Sequence, residues 1–134
     1  MTAGQEKIGT ILIVDDTAAN VLLLEALLSA EYTIKSASKG SEALEIAEKM
    51  PPDLILLDIL MPGMDGYEVC RRLKEHPQLW DIPVIFLSAL ESTEVKLKVF
   101  KSGGVDYITK PFYLKDVQAR VKTHLMIRKA STSA

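Results

Sequence analysis

The chain has 134 residues, the size of one compact domain. Its 48% hydrophobic and 25% charged residues are a globular composition rather than a disordered or fibrous one. Sixteen basic residues against eighteen acidic ones leave a net charge of −2, which argues against a surface built to coat nucleic acid. No apolar run approaches the roughly 20 residues of a membrane helix. The amino terminus, MTAGQEKIGT, lacks the apolar stretch of a secretory signal. Cys70 is the single cysteine, so no internal disulfide forms. The expectation is one soluble cytoplasmic domain over 9–127, with a tail at 1–8 and a tail or truncated linker at 128–134.

Taken in order, the chain alternates between two periods. Ile11–Val14 is a solid apolar run, the pattern of a strand covered on both faces. Asp16 or Thr17 then caps a helix carrying Val21, Leu24, Leu27 and Leu28 at steps of three and four. Tyr32–Ala37 mixes polar and apolar residues as an edge strand does. Gly40 opens a helix with Ala43, Leu44 and Ala47 on one face, and Pro51 and Pro52 stop it. Leu54–Leu57 is the second solid run. Asp65 caps a helix with Tyr67, Cys70 and Leu73 at three-residue steps, which makes Cys70 a packing residue rather than a redox centre. Val84–Leu87 is the third solid run. Ser92 or Thr93 caps the next helix, which Gly103 and Gly104 end. Val105–Thr109 is a short second edge candidate, and the last helix carries Leu114, Val117, Val121 and Leu125 on one stripe.

Five strands alternating with five helices predict an α/β protein with a single doubly wound, five-stranded parallel sheet. The first, third and fourth strands are the solid runs, so the weaker second and fifth belong at the edges. That gives the flavodoxin-like order 2-1-3-4-5.

In such a sheet, ligands sit beyond the carboxyl ends of the strands where the order reverses, here between the first and third. The first strand runs into Asp15 and Asp16, the third into Asp58, the fourth into Ser88 and the fifth into Lys110. Clustered carboxylates repel unless a cation intervenes. A hard divalent ion such as Mg²⁺, which prefers oxygen ligands, resolves that conflict. A bare metal store gains nothing from Lys110, whereas a site receiving a phosphoryl group does, because metal and ammonium together neutralise the transferring oxygens. Asp58, central in the sheet, is the best candidate for the acceptor. Each residue also has a plainer role open to it: Asp16 as a helix cap, Ser88 closing a turn, Tyr107 filling an edge strand, Gly63 and Gly66 with Pro62 shaping the turn after Asp58. Asp58 is the hardest to explain so, because a carboxylate buried without partners is costly.

Four motifs in order, ILIVDD ending at Asp16, DLILLDILMPGMDGYE around Asp58, PVIFLSA around Ser88 and GGVDYITKPF around Lys110, are similar to the receiver domain of two-component response regulators. The resemblance covers about Gly9 to Ile127. It implies that Asp58 is the phosphoacceptor and that a histidine kinase or histidine phosphotransfer partner supplies the phosphoryl group. It further implies Mg²⁺ held by Asp16 directly, by Asp15 mostly through water, by Asp58, and by the backbone carbonyl of Leu60. Ser88 would bind a phosphoryl oxygen, Lys110 would pair with the carboxylate, and Tyr107 would turn inward as Ser88 moves. The Lys110–Pro111 bond is expected to be cis. Such a domain is a switch rather than a turnover enzyme, with no membrane contact and no nucleic-acid contact of its own.

Two positions depart from the more polar members of that family. Leu60 and Leu90, each two residues beyond a site residue, are aliphatic and cannot orient an attacking water, so self-dephosphorylation is expected to be slow. Val95, Leu97, Val99 and Phe100 cannot all face the sheet, and Tyr113, Met126 and Ile127 lie off the main stripe of the last helix. The resemblance implies that the face of the fourth helix, fifth strand and last helix, where these apolar residues lie, serves a homodimer or an output domain. Among alternatives, an aspartyl phosphatase of haloacid dehalogenase type needs an Asp where Leu60 stands. A flavin or nucleotide binder needs a glycine- or hydroxyl-rich loop where Asp15-Asp16-Thr17-Ala18-Ala19-Asn20 stands. A phosphorylation-independent interaction module keeps the fold but leaves the acidic site unexplained.

Overall fold

A computed structural model describes residues 7–132. Five strands alternate with five helices: β1 (Thr10–Val14), α1 (Ala18–Leu28), β2 (Thr33–Ala37), α2 (Gly40–Lys49), β3 (Leu54–Asp58), α3 (Gly66–Glu75), β4 (Val84–Ser88), α4 (Thr93–Lys101), β5 (Asp106–Thr109) and α5 (Leu114–Thr132). All pairings are parallel, in the order β2-β1-β3-β4-β5. The reasoning from strand polarity holds. Every residue of β3 and β4 is buried, whereas β2 and β5 each bury one.

The pleat divides the apolar runs between two cores. Leu12, Val14, Ile55, Leu57, Val84 and Phe86 face α2, α3 and α4, meeting Ala43, Ala47, Val69, Cys70, Leu73 and Val99. Ile11, Ile13, Leu54, Leu56, Ile85 and Leu87 face α1 and α5, meeting Leu24, Leu28, Val117, Val121 and Leu125. Each such side chain contributes about 1.5–3 kcal/mol by leaving water. Packing on both faces fixes the register, since a slip of one residue would exchange the two cores. Cys70 is fully buried, and burial pushes its thiol up to about 11, as befits a packing residue.

Three local expectations change. Neither Asp16 nor Thr17 caps α1 through its side chain; Thr17 holds the N-cap position without a side-chain bond. Asp65 and Ser92 do cap α3 and α4, accepting from Glu68 N–H at 2.9 Å and Val95 N–H at 3.2 Å. At the carboxyl end, α5 continues through Thr132, so residues 128–132, expected as a tail or truncated linker, are helical. Arg128 explains the continuation: its guanidinium donates to Asp53 O at 3.2 Å and pairs with Asp53 Oδ1 at 3.3 Å and Asp81 Oδ1 at 3.8 Å. Ile8, expected in the amino-terminal tail, donates its N–H to Glu31 O at 2.8 Å. Residues 1–6, the rest of that tail, and residues 133–134 lie outside the described residues. No helix among the described residues is long and apolar enough to cross a membrane.

Candidate functional site

Sheet register assembles the site. Val14 pairs with Leu57, so one step beyond the pair come Asp15 on the β1 side and Asp58 on the β3 side. Asp58 pairs with Leu87, and Ser88 follows on β4. Ser88 pairs with Thr109, and Lys110 follows on the β5 side, its N–H donating to Ser88 O at 2.8 Å. Four strand ends thereby deliver the predicted residues to one edge of the sheet.

Asp15, Asp16 and Asp58 each place one carboxylate oxygen within 4.8 Å of the others. Lys110 Nζ closes the cluster, 3.1 Å from Asp58 Oδ1 and 3.5 Å from Asp15 Oδ2. Asp15 is 1% exposed and is held by its own loop, its Oδ1 accepting from Thr17 N–H at 2.9 Å and its Oδ2 from Asn20 Nδ2 at 3.1 Å. Asp16 is exposed. Asp58 is 4% exposed, and its Oδ2 accepts no hydrogen bond from any described residue. Burial pushes the Asp58 carboxyl above the ordinary carboxylate range, and Asp15 and, less strongly, Asp16 push the same way; Lys110 opposes them by hydrogen bond and charge.

The loop after β3 lays backbone against the acceptor. Gly66 opens α3 so close to it that a Cβ there would stand 2.3 Å from Asp58 O and 3.0 Å from Ile59 Cα. Gly66 N–H donates to Ile59 O at 2.8 Å, and Gly63 supplies the positive φ (+80°) that lets the segment reverse after Pro62. The Leu60 carbonyl accepts no hydrogen bond from the described residues. On the other side, a cavity of about 390 Å³ runs from Asp58 and Lys110 between Leu60 and Leu90 to Tyr67 and Lys98. Leu60 is 71% and Leu90 55% exposed, so both flank the approach to the acceptor.

Ser88 lies at the site, buried, but its hydroxyl is engaged with its own loop. Its Oγ donates to Leu90 O at 3.0 Å and accepts from Leu90 N–H at 2.9 Å. Tyr107 is half-buried on β5, its ring under Lys96 Nζ at 5.3 Å and Arg120 at 6.0 Å. The Lys110–Pro111 peptide bond is cis. Sequence reasoning missed Asn20; the signal was an amide on the first turn of α1, able to reach back to the strand end it follows.

The residues present suit a hard divalent cation. Their donor set is all oxygen, three carboxylates converge, and Asp58 Oδ2 and the nearby Leu60 carbonyl accept no hydrogen bond from the described residues. The chain is 46% identical over 114 residues to the response regulator PleD of Caulobacter vibrioides, a match covering 84% of this chain and 25% of that protein. It is 41% identical over 116 residues to the alkaline phosphatase synthesis transcriptional regulatory protein PhoP of Bacillus subtilis, covering 86% and 48%. The chain thus spans a quarter to a half of the length of these relatives. The signal receiver domain of a signal transduction histidine kinase from Syntrophus aciditrophicus superposes with a TM-score of 0.81 at 38% identity, covering 88% of this chain and 90% of that one. The response regulator receiver domain model matches residues 11–122, and with its four strand-end motifs gathered at one sheet edge the chain belongs to that family, the receiver domains of two-component systems.

Proposed function

We propose that this domain is a phosphorylation-dependent switch whose acceptor is Asp58. The observation that carries the reading is the placement of Lys110 Nζ 3.1 Å from Asp58 Oδ1 inside a cluster of three carboxylates. Lys110 occupies one oxygen and leaves Oδ2 for bond formation. In transfer from a phosphohistidine, that oxygen attacks phosphorus and the P–N bond breaks with its electron pair staying on the imidazole nitrogen. The product is an acyl phosphate on Asp58. The donor is a sensor histidine kinase or a histidine phosphotransfer protein.

Asp16, Asp58 and the Leu60 carbonyl would hold Mg²⁺, with Asp15 behind them. When bound, the ion neutralises charge on the phosphoryl oxygens. Thr17 N–H and Asn20 keep Asp15 fixed, and Lys110 balances the negative charge that Asp58 carries before and after transfer. Lys110 and Ser88 are the protein's own donors to the phosphoryl group. For Ser88 this requires its hydroxyl to leave the Leu90 carbonyl.

That departure connects the site to a surface. Ser88 moving toward the phosphoryl group draws the loop that leads into α4 and vacates space for the Tyr107 ring, which gives up its contacts with Lys96 and Arg120. The α4–β5–α5 face carries exposed Leu97 and Phe100 beside a charged network in which Asp106 binds Arg120 at 2.7 Å and His124 at 3.0 Å. It is the surface through which a second copy or an output domain would read the state. A phosphorylation-independent module of the same fold has no use for buried Asp58, whose charge the fold accommodates at a cost.

The test is transfer of labelled phosphoryl from a phosphohistidine-bearing protein to the full chain. Label moving to wild type and staying on the donor with Asp58→Asn supports the reading; equal labelling of both chains contradicts it.

A further inference from the structure

Lys96, half-buried on α4, forms no ion pair with any described residue. An ammonium group is strongly hydrated and ordinarily turns into water unless something holds it. Here it lies over the Tyr107 ring of β5, 5.3 Å from the centroid. The face of an aromatic ring carries the negative part of its quadrupole, so the contact attracts.

A second cation meets the same ring from α5. Arg120 Cζ is 6.0 Å from the Tyr107 centroid, at the outer limit of such contacts. Unlike Lys96, Arg120 is tethered. Its Nε donates to Asp116 Oδ1 at 2.8 Å, and a terminal nitrogen donates to Asp106 Oδ1 at 2.7 Å. Asp106 Oδ1 also accepts from the Tyr107 N–H at 2.8 Å, which ties the guanidinium to the backbone that carries the ring. Two carboxylates therefore hold Arg120 whichever way the ring points. The Lys96 ammonium has the ring and no carboxylate.

We infer that Lys96 is a positioning residue of the switch: its ammonium holds the Tyr107 ring outward and so sets how much of the unphosphorylated chain adopts the activated arrangement. The inference rests on the switch reading above and adds the residue that resists the turn. The ring cannot move toward Ser88 without leaving the ammonium, so the contact favours the outward state alone. A contact of this kind near the surface changes an equilibrium constant about two- to fivefold. Lys98 offers a control on the same helix, because its ammonium lies 4.6 Å over Tyr67, a ring of α3 rather than of the switch.

The test is amide relaxation dispersion on the full chain, read at Ala89 and Leu90, which follow Ser88 in the loop that leads to α4. Their signals after phosphorylation by acetyl phosphate with Mg²⁺ define the activated arrangement, which the unphosphorylated chain visits as a minor state. Lys96→Gln is expected to raise that minor population about two- to fivefold. Lys96→Arg, which keeps a cation for the ring, holds it at the wild-type level, and so does Lys98→Gln. In a Tyr107→Leu background Lys96→Gln has no further effect, as a ring contact requires and a general change of charge does not. An unchanged Tm shows that the variants fold. A minor population unmoved by Lys96→Gln, while phosphorylation still shifts Ala89 and Leu90, overturns the inference and leaves the switch reading standing. Equal rises from Lys96→Gln and Lys98→Gln overturn it too, as does a rise that persists in Tyr107→Leu. Ala89 and Leu90 signals that phosphorylation leaves in place overturn the switch reading itself.

Discussion

Lys110 Nζ lies 3.1 Å from Asp58 Oδ1, although 52 residues separate them in the chain. The sheet order makes the pair: β3 and β5 flank β4, and both strands end at the same edge. One ammonium group faces the three carboxylates of the site, so the cluster is under-neutralised as it stands.

That imbalance predicts a pH-dependent stability difference. Asp58 has its carboxyl raised, first by burial and then by Asp15, so ionising it costs more in the folded than in the unfolded chain. Below the unfolded pKa both states are protonated and there is no penalty; the penalty grows as pH rises from the unfolded pKa to the raised folded pKa and is constant above it. Asp58→Asn is therefore expected to stabilise the domain at neutral pH by about 1–3 kcal/mol, and the gain should vanish below roughly pH 4. Thermal unfolding at about pH 7.5 and about pH 3.5, which bracket the carboxylate range, checks this.

A divalent ion should relieve the same strain by mass action. At about 100 times its Kd, Mg²⁺ adds about 2.7 kcal/mol to stability if it binds the folded state alone. Wild type is expected to gain Tm with added Mg²⁺. Asp16→Asn, which removes an exposed member of the cluster, should lose most of that gain without unfolding.

Gly66 is a geometric prediction. A side chain there meets backbone at 2.3 Å, which cannot swing aside as a flexible side chain can. Gly66→Ala is expected to cost about 1–3 kcal/mol and to displace the loop that carries Leu60. Denaturant unfolding measures the first effect, and weakened Mg²⁺ affinity the second. Gly63→Ala should cost stability through its positive φ, about 1 kcal/mol, with no clash at all.

Leu60 and Leu90 flank the acceptor and offer no hydrogen bond to water. The phosphorylated chain is expected to hold its group for minutes rather than seconds in Mg²⁺ buffer. Leu60→Asn with Leu90→Glu should shorten that lifetime by about tenfold, the low end of what a positioned polar group contributes to proton transfer. Decay of the phosphorylated mass over time decides it.

Much of this was legible in the residues. Ile11–Val14, Leu54–Leu57 and Val84–Leu87 are solid because both faces of their strands are covered, and that set the strand order and so the site. What stayed hidden depends on contacts distant in sequence or on a choice of hydrogen-bond partner. Nothing in the spacing says that the Ser88 hydroxyl turns back to Leu90, since a serine at a strand end serves a turn or a ligand equally well. Nor does it say that Arg128 crosses to Asp53 and Asp81, which ties the last turns of α5 to the rest of the domain. Nor does it say that Thr17, at the N-cap of α1, leaves its hydroxyl unbonded to the helix, while Asp15 holds the Thr17 N–H in the turn before it.

The most direct measurement is intact mass of the chain after incubation with a small acyl phosphate, with and without Mg²⁺. The account predicts a gain of one phosphoryl group that requires the metal and is absent in Asp58→Asn. An unmodified mass in the presence of Mg²⁺, or a gain that survives Asp58→Asn, would contradict it.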